Sequence, residues 1–286
     1  MSASSKKVWF ITGASRGLGL EIARDALLRG DLVVATAQKP ETVTAALGAQ
    51  STLLAVALDV TDETQAVSAA KAAVDHFGRI DVLLNNAGFG LLGAVEEAST
   101  EEIERQYQTN VFGLLKVTRA VLPHLRRARK GHVINISAIA GYAAFAGWGV
   151  YSSTKFAVEG LTEALAIELA PLGIFATVVE PGFMRTDFLE KTSLLRTKIA
   201  ISDYVATVGA MREFATSLNH KQPGDPRKVS KAVLKLADSL KPPVRLPLGT
   251  DTVAKMEEKN RFVEAELEQW RSVAVSTDHD DVAKKS

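Results

Sequence analysis

The sequence predicts a doubly wound α/β fold: one parallel sheet with helices on both faces, in a single domain of residues 1–271 followed by a polar tail, 272–286. Three observations lead there. Short apolar runs rich in Val, Ile and Leu recur through the N-terminal two thirds of the chain, stretches with helical spacing separate them, and the first run opens directly into a glycine-rich turn. Strands that alternate with helices run parallel, because each helix carries the chain back along the sheet. At 286 residues and 47% hydrophobic, the chain is long enough to bury one sizeable core.

The elements follow in order. Residues 8–12 (VWFIT) form the first apolar run and pass straight into Gly13-Ala14-Ser15-Arg16-Gly17-Leu18-Gly19, after which helical spacing holds to Gly30. Runs at 32–36 (LVVAT) and 53–58 (LLAVAL) have the composition of buried strands, and 82–84 (VLL) leads into Asn85-Asn86-Ala87-Gly88. Ser99 and Glu102 make a capping box that opens a helix, and a second helix spans 110–127. The basic run Arg126-Arg127-Ala128-Arg129-Lys130 is the positive end of that helix, stopped by Gly131. Residues 132–136 (HVINI) are the fifth strand, a helix carrying Tyr151 and Lys155 continues to about residue 170, and 174–179 (IFATVV) are the sixth, closed by Pro181-Gly182. From about 186 to 222 the pattern is helical but loose, as expected of a mobile lid, and Pro223-Gly224-Asp225-Pro226 punctuates it. A helix to about 239, a short strand at 244–246 and a terminal helix at 251–270 precede the tail.

Composition excludes several function classes. A formal net charge of +1 with 23% charged residues argues against a nucleic-acid or anionic-membrane partner. There is no cysteine, so disulfides, thiol catalysis and thiolate metal sites are ruled out. The five histidines do not cluster at metal-ligand spacing, and no metal is expected. The first residues, MSASSKK, lack the apolar core of a signal peptide, and no apolar run reaches the roughly 20 residues of a membrane span, so a cytoplasmic location is expected.

Two motifs carry chemistry. Tyr151 and Lys155, four residues apart on a helix, share one face, so an ammonium can sit beside a phenol. A neighbouring positive charge favours phenolate and draws a tyrosine down from about 10 toward the range where it exchanges protons near neutral pH. The glycine turn between strand and helix lets backbone amides approach a pyrophosphate, which settles on the helix N-terminus. Its spacing is G-x3-G-x-G.

Taken together, Thr12-Gly13-x3-Gly17-x-Gly19, Asp59, Asn86-Ala87-Gly88, Asn110, Tyr151-x3-Lys155 and Pro181-Gly182 resemble the short-chain dehydrogenase/reductase family, NAD(P)-dependent oxidoreductases with a Rossmann fold, over about residues 7–190. The resemblance implies Tyr151 as general acid/base, Lys155 as the modulator of its pKa and a ligand of the nicotinamide ribose, and Asn110 as holder of a proton-relay water. It implies that Asp59 and Val60 meet the adenine, that Asn86, Ala87 and Gly88 line the adenosine side, and that Gly13, Ser15, Arg16, Gly17, Leu18 and Gly19 hold the phosphates. Pro181, Gly182, Met184 and Thr186 are expected at the nicotinamide end, and a homodimer or homotetramer is expected.

One position departs from the family. Its members place a serine thirteen residues before the tyrosine, where the hydroxyl meets the reacting carbonyl; here that residue is Ala138, and the neighbouring Ser137 is one residue out of register. Successive strand side chains face opposite sides, so Ser137 should point away from the substrate. Asn135 before and Gly141 after support Ala138 as the equivalent position. Two readings stay open: a serine-to-alanine variant of the kind made to trap a complex, which the register favours, or a natural chain that uses Ser137.

Cofactor choice is written at the end of the second strand. An acid there would bind the 2′-hydroxyl of NAD; this chain has Ala37, then Gln38 and Lys39, with Arg16 in the glycine turn able to reach a 2′-phosphate. NADP(H) is expected. An apolar, aromatic wall at 141–149, continued by Phe183, Met184, Phe188 and Leu189, suits a small hydrophobic carbonyl or alcohol. The function expected is interconversion of a hydrophobic ketone or aldehyde and its alcohol. Oxidation of a secondary alcohol or hydroxysteroid, or a catalytically weak cofactor-binding scaffold, are the alternatives.

Overall fold

A computed structural model describes residues 6–279. The chain runs β1 (Val8–Ile11), α1 (Gly17–Leu28), β2 (Leu32–Ala37), α2 (Pro40–Leu47), β3 (Leu53–Ala57), α3 (Glu63–Phe77), β4 (Val82–Asn85), β5 (Gly90–Leu92) and α4 (Thr100–Tyr107). After a π-turn over Gln108–Gly113 come α5 (Leu114–Ala128), β6 (Gly131–Ile136), α6 (Gly149–Leu169), β7 (Ile174–Pro181) and β8 (Leu194–Arg196). The C-terminal part adds α7 (Ala210–Leu218), α8 (Pro226–Asp238), β9 (Arg245–Leu248) and α9 (Thr250–Val275). Seven strands pair in the order β3-β2-β1-β4-β6-β7-β9, every neighbour parallel. The order reverses direction at β1 and β4, and in such sheets the crevice for a ligand opens there, beyond the carboxyl ends of the strands.

Strand alternation divides the core into two layers. Trp9 and Ile11 face α1 and α8, packing with Ile22, Ala26 and Val233, whereas Phe10 and Val34 face α3 and α5, packing with Ala70, Val121 and Leu125. A continuous apolar run is what a strand buried on both faces requires. Small residues on α3 (Ala66, Ala69, Ala70, Ala73) let that helix lie close to the sheet.

Several boundaries differ from the sequence reading. A three-residue strand, β5, pairs with β8 about a hundred positions later to form a separate two-stranded parallel sheet, so residues 132–136 lie in the sixth strand of the chain and 174–179 in the seventh. The capping box at Ser99 and Glu102 is present, but its helix does not stop: α4 passes through the π-turn into α5 without a break. Arg129 ends α5 in the left-handed region (φ 51°), two residues before the glycine expected to stop it. The terminal helix runs past 270 to Val275, which takes residues 272–275 out of the tail; residues 280–286 lie outside the described residues.

The segment over the crevice is pinned at a buried acid. Glu97 accepts from Ala94 N (2.7 Å), Ile201 N (2.8 Å) and Arg212 Nη2 (2.6 Å), joining the residues before α4 to the segment between β8 and α7 and to α7 itself. Burial alone would raise its pKa; the two backbone N–H groups and the guanidinium outweigh that and hold it below the usual carboxylate value.

His132, in β6, is buried and bonds through Nε2 to Thr177 Oγ1 at 2.9 Å. Thr177 spends its own proton on Pro243 O (2.6 Å), so Nε2 must carry the hydrogen and the ring sits neutral. Burial, with a smaller push from Lys7, takes its pKa down to about 4. The unfolded chain then gains a proton at about 6.5 while the folded one does not, so stability present at pH 7 drains away as pH falls from about 6.5 to 4. We expect His132 to account for about 2 kcal/mol of loss between pH 7 and pH 5. Urea midpoints of the parent and His132→Gln at both pH values measure it: the variant should lose that part of the slope.

Candidate active site

The crevice at the carboxyl ends of the strands is a cleft of about 1080 Å³. The turn after β1 forms one end. Gly13 has φ +65°, and a Cβ there would lie 3.0 Å from Ala87 Cα, so a side chain would push the turn off the β4 loop. That contact is locked by Thr12, whose hydroxyl accepts from Asn86 N (2.9 Å) and Ala87 N (3.0 Å), and by the Asn86 amide, which donates to Thr12 O (3.0 Å) and Gly13 O (3.1 Å). The Asn86 side chain therefore braces the turn, and Thr12 is a site-building residue for which only its place in the motif gave a signal.

Gly13, Ser15, Arg16, Gly17 and Leu18 line the cleft, as do Ala37, Gln38, Lys39, Asp59, Val60, Asn86, Ala87 and Gly88. Gly19 is buried behind the turn and meets the Asn86 amide and Gly13 O instead. Gln38 Nε2 donates to Asp59 Oδ2 at 3.0 Å, joining the ends of β2 and β3. Burial works to raise Asp59, but the Thr61 hydroxyl and N–H, Gln38 and Lys116 hold it low, so it stays ionised. Arg16 reaches across the cleft mouth to the lid, donating to Thr192 O at 2.8 Å.

At the other end, Pro181, Gly182, Met184 and Thr186 line the cleft. The turn they form is held from the far end of the chain: the Asp251 carboxylate, in the first turn of α9, accepts from Phe183 N at 2.9 Å. Nothing in the sequence ties residue 251 to residue 183, because the link is made by β9 pairing beside β7.

Tyr151 and Lys155 meet between these ends, both buried. Trp148 and Phe188 pack against the phenol ring, with centroids 5.5 and 5.8 Å away. Lys155 Nζ donates to Ile136 O (2.9 Å) and lies 5.8 Å from the centre of the Tyr151 ring. Burial pushes the phenol above its ordinary value, the opposite of the lowering expected from the lysine alone. Burial also takes Lys155 down to about 8, against an upward pull from Glu159. Desolvation thus outweighs the mutual effect of the pair.

Asn110 lies in the π-turn, behind the cleft wall. Its side chain accepts from Phe89 N (3.1 Å) and donates to Phe89 O (2.9 Å) and Thr154 Oγ1 (3.2 Å). Gly88 separates it from the lysine: a Cβ there would be 3.1 Å from Asn110 Oδ1 and 3.8 Å from Lys155 Nζ.

The two neighbours at the end of β6 part company. Ser137 N continues the ladder to Val179 O (2.8 Å), so strand alternation persists through it. Its hydroxyl is buried beside Gly141 and Glu159, whereas Ala138 packs in the cluster of Tyr151, Trp148 and Leu92. Asp187, Glu190 and His220 also come together, with one ligand-type atom each within 4.8 Å, at the rim of the cleft, which Asp187 lines; His220 Nε2 and Glu190 Oε1 are 2.8 Å apart. Sequence spacing gave no sign of that cluster, because Glu190 and His220 lie 30 positions apart.

Comparison with known proteins agrees with this geometry. Residues 7–196 match the family model described as short chain dehydrogenase. An oxidoreductase of Botryotinia fuckeliana is 40% identical over 95% of this chain and 99% of its own length. A 3-ketodihydrosphingosine reductase of Bacteroides thetaiotaomicron is 36% identical over 85% and 88%. The crystal structure of a short-chain dehydrogenase from Streptomyces avermitilis superposes with a TM-score of 0.88 at 40% identity, covering 96% of this chain and all of the other. No helix among the described residues is long and apolar enough to cross a membrane. The doubly wound parallel sheet, the glycine turn and the buried tyrosine-lysine pair therefore belong to an oxidoreductase of the short-chain dehydrogenase family.

Proposed function

We propose that this protein interconverts a hydrophobic ketone or aldehyde and its alcohol with NADP(H), Tyr151 exchanging the proton. The observation that carries the reading is the Tyr151–Lys155 pair, buried between the glycine turn and an apolar wall. The residues present fit a dinucleotide: Gly17 has φ +56° with open space where a Cβ would stand, and Arg16 puts no side-chain cap on the first N–H groups of α1. Those groups would take the pyrophosphate, and Lys155 the nicotinamide ribose. When bound, the cofactor supplies or accepts a hydride.

The chain's own residues supply the rest. A phenol raised by burial keeps its proton at neutral pH and can give it to a carbonyl oxygen that gains charge. The Lys155 ammonium, fixed by Ile136 O, stabilises the phenolate left behind. The Asn110 side chain is committed to Phe89 and Thr154, so a relay water would be held by the main chain of the π-turn rather than by that amide. Phe145, Trp148 and Phe188 line the substrate side and exclude water from it. Ala138 offers no hydroxyl to the carbonyl, which favours weak turnover as the second reading.

NADP(H) is preferred over NAD(H) in this reading because Arg16 and Lys39 line the cleft where Ala37 leaves no acid to repel a 2′-phosphate. Solved relatives carry NADP in some cases and NADH in others, and these side chains are what favours the phosphorylated form here. Exposed Phe112, Phe156 and Ile167 support a homodimer or homotetramer, and a cytoplasmic location accords with the absence of cysteine.

NADPH should bind at least tenfold more tightly than NADH, a difference of about 1.4 kcal/mol or more. Calorimetry tests it, and equal dissociation constants would sink the assignment. Tyr151→Phe should abolish turnover and leave NADPH binding nearly unchanged, since it removes the transferable proton and little else. Retained turnover would mean that another group is the acid. Installing a hydroxyl by Ala138→Ser should raise kcat/KM toward a panel of ketones by about 10²–10³, the worth of one placed donor, while Ser137→Ala changes it little. The reverse pair of results would make Ser137 the donor, and silence from both chains across the panel would favour the cofactor-binding scaffold.

A further inference from the structure

Behind the Tyr151–Lys155 pair lies a second set of ionisable groups that the chemistry above does not use. Glu159, one turn after Lys155 on α6, and Glu180, near the end of β7, are both buried. Arg245, at the start of β9, holds both carboxylates with a single nitrogen: Nη1 donates to Glu159 Oε2 and to Glu180 Oε1, the latter at 2.8 Å. Its remaining donors, Nε and Nη2, go to Glu163 Oε1 at 3.2 and 2.8 Å, and the Glu163 side chain is 54% exposed. The Tyr142 ring covers the guanidinium at 5.5 Å, and its hydroxyl is bound by Asn260 of α9. The second oxygen of Glu180, Oε2, is buried with no hydrogen-bond partner, and Glu159 has the buried Ser137 hydroxyl beside its Oε1 as a donor.

Two ionised carboxylates cannot stand there. One shared guanidinium, already drawn outward by Glu163, leaves a buried excess of negative charge, and each uncompensated buried ion costs several kcal/mol. A proton held between the two removes one charge and gives the orphaned Glu180 oxygen a partner. Other charges nearby do not alter the balance: Lys255 of α9 is paired with Glu258 over the Phe145 ring, and Asp251 is committed to Phe183 N. Lys155 is the positive group on the same helix face.

We propose that Glu159 and Glu180 share a single proton and that this pair, clamped by Arg245, sets the charge of Lys155. Both are positioning residues, and the proposal rests on the reading of Lys155 as the charged partner of Tyr151. Burial raises Glu180, and the charge of Glu159 raises it further, to about 8; burial raises Glu159 as well. The signs for variants follow. Glu159→Gln removes the negative neighbour that holds the proton on Lys155, so the ammonium is lost at lower pH. Glu180→Gln removes the competitor for Arg245 and for the shared proton. Glu159 then stays ionised, and Lys155 keeps its proton to higher pH.

Opposite shifts are what a merely structural role does not give. They are read without any substrate, from the full chain labelled with ¹³C at glutamate Cδ and lysine Cε and titrated by NMR. In the parent, a glutamate carboxyl should titrate above pH 6, and this signal should vanish in each glutamine variant. The Lys155 midpoint should fall by about one pH unit, tenfold in proton affinity, in Glu159→Gln and rise in Glu180→Gln, while Glu163→Gln leaves it in place. If Glu159→Gln does not fold, the parent titration and Glu180→Gln still decide. Glutamates that all titrate below pH 5.5, or a Lys155 midpoint unmoved in variants that only melt earlier, overturn the proposal. A parent that reduces no ketone counts against the proposed reaction instead, and leaves these titrations to speak for the pair.

Discussion

One hydrogen bond sets the geometry of this site: Lys155 Nζ to the carbonyl of Ile136, 2.9 Å. It ties the middle of a long helix to the last residue of β6, and so fixes which of the next two side chains faces Tyr151. Because Ser137 N still bonds to β7 through Val179 O, alternation carries on for one residue past the strand. Ser137 is thereby sent toward Glu159, and Ala138 toward the phenol. The anchor costs something. An ammonium taken out of water must be compensated, and a lone carbonyl with a carboxylate one helical turn away compensates only partly, which is why burial still drags Lys155 down to about 8.

The rest of the cleft is assembled around this anchor from the ends of neighbouring strands. Parallel pairing brings the ends of β1, β4 and β6 level, and each end contributes one part: the glycine turn, the Asn86-Ala87-Gly88 loop and the Ser137-Ala138 pair. Thr12 makes the first two a single unit, since one hydroxyl receives two N–H groups from the neighbouring loop. The fourth part, the Pro181–Gly182 turn, is steadied by Asp251 only because β9 extends the sheet and starts α9 beside it. Chain far from the chemistry thus holds the site in shape.

What was legible in the sequence is what is local. A strand buried on both faces must be an apolar run, a capping box is four consecutive residues, and a tyrosine and a lysine at helical spacing must share a face. What escaped depends on partners distant along the chain. β5 is three residues whose pairing to β8 no local pattern announces, and Glu97 reads as a surface acid until Ile201 and Arg212 close over it. Asp187, Glu190 and His220, like Glu159, Glu180 and Arg245, become neighbours only when the fold is complete. The direction of the Tyr151 shift was missed for a related reason: spacing reveals the lysine, but the depth of burial that outweighs it belongs to the packed structure.

That shift bears on how such a site works. A phenol pushed upward by burial holds its proton throughout the neutral range and is a weaker acid for it. The group at hand to favour loss of that proton is the Lys155 ammonium, one turn along α6. Lys155 is itself near the edge of losing its charge at about pH 8. Stabilising that ammonium therefore matters more here than lowering the tyrosine directly. Among the described residues, the charge that pulls Lys155 back upward is that of Glu159, one turn along the helix. The surroundings of the Tyr151 phenol thus include a lysine that is held by strand β6 on one side and biased by a buried carboxylate on the other.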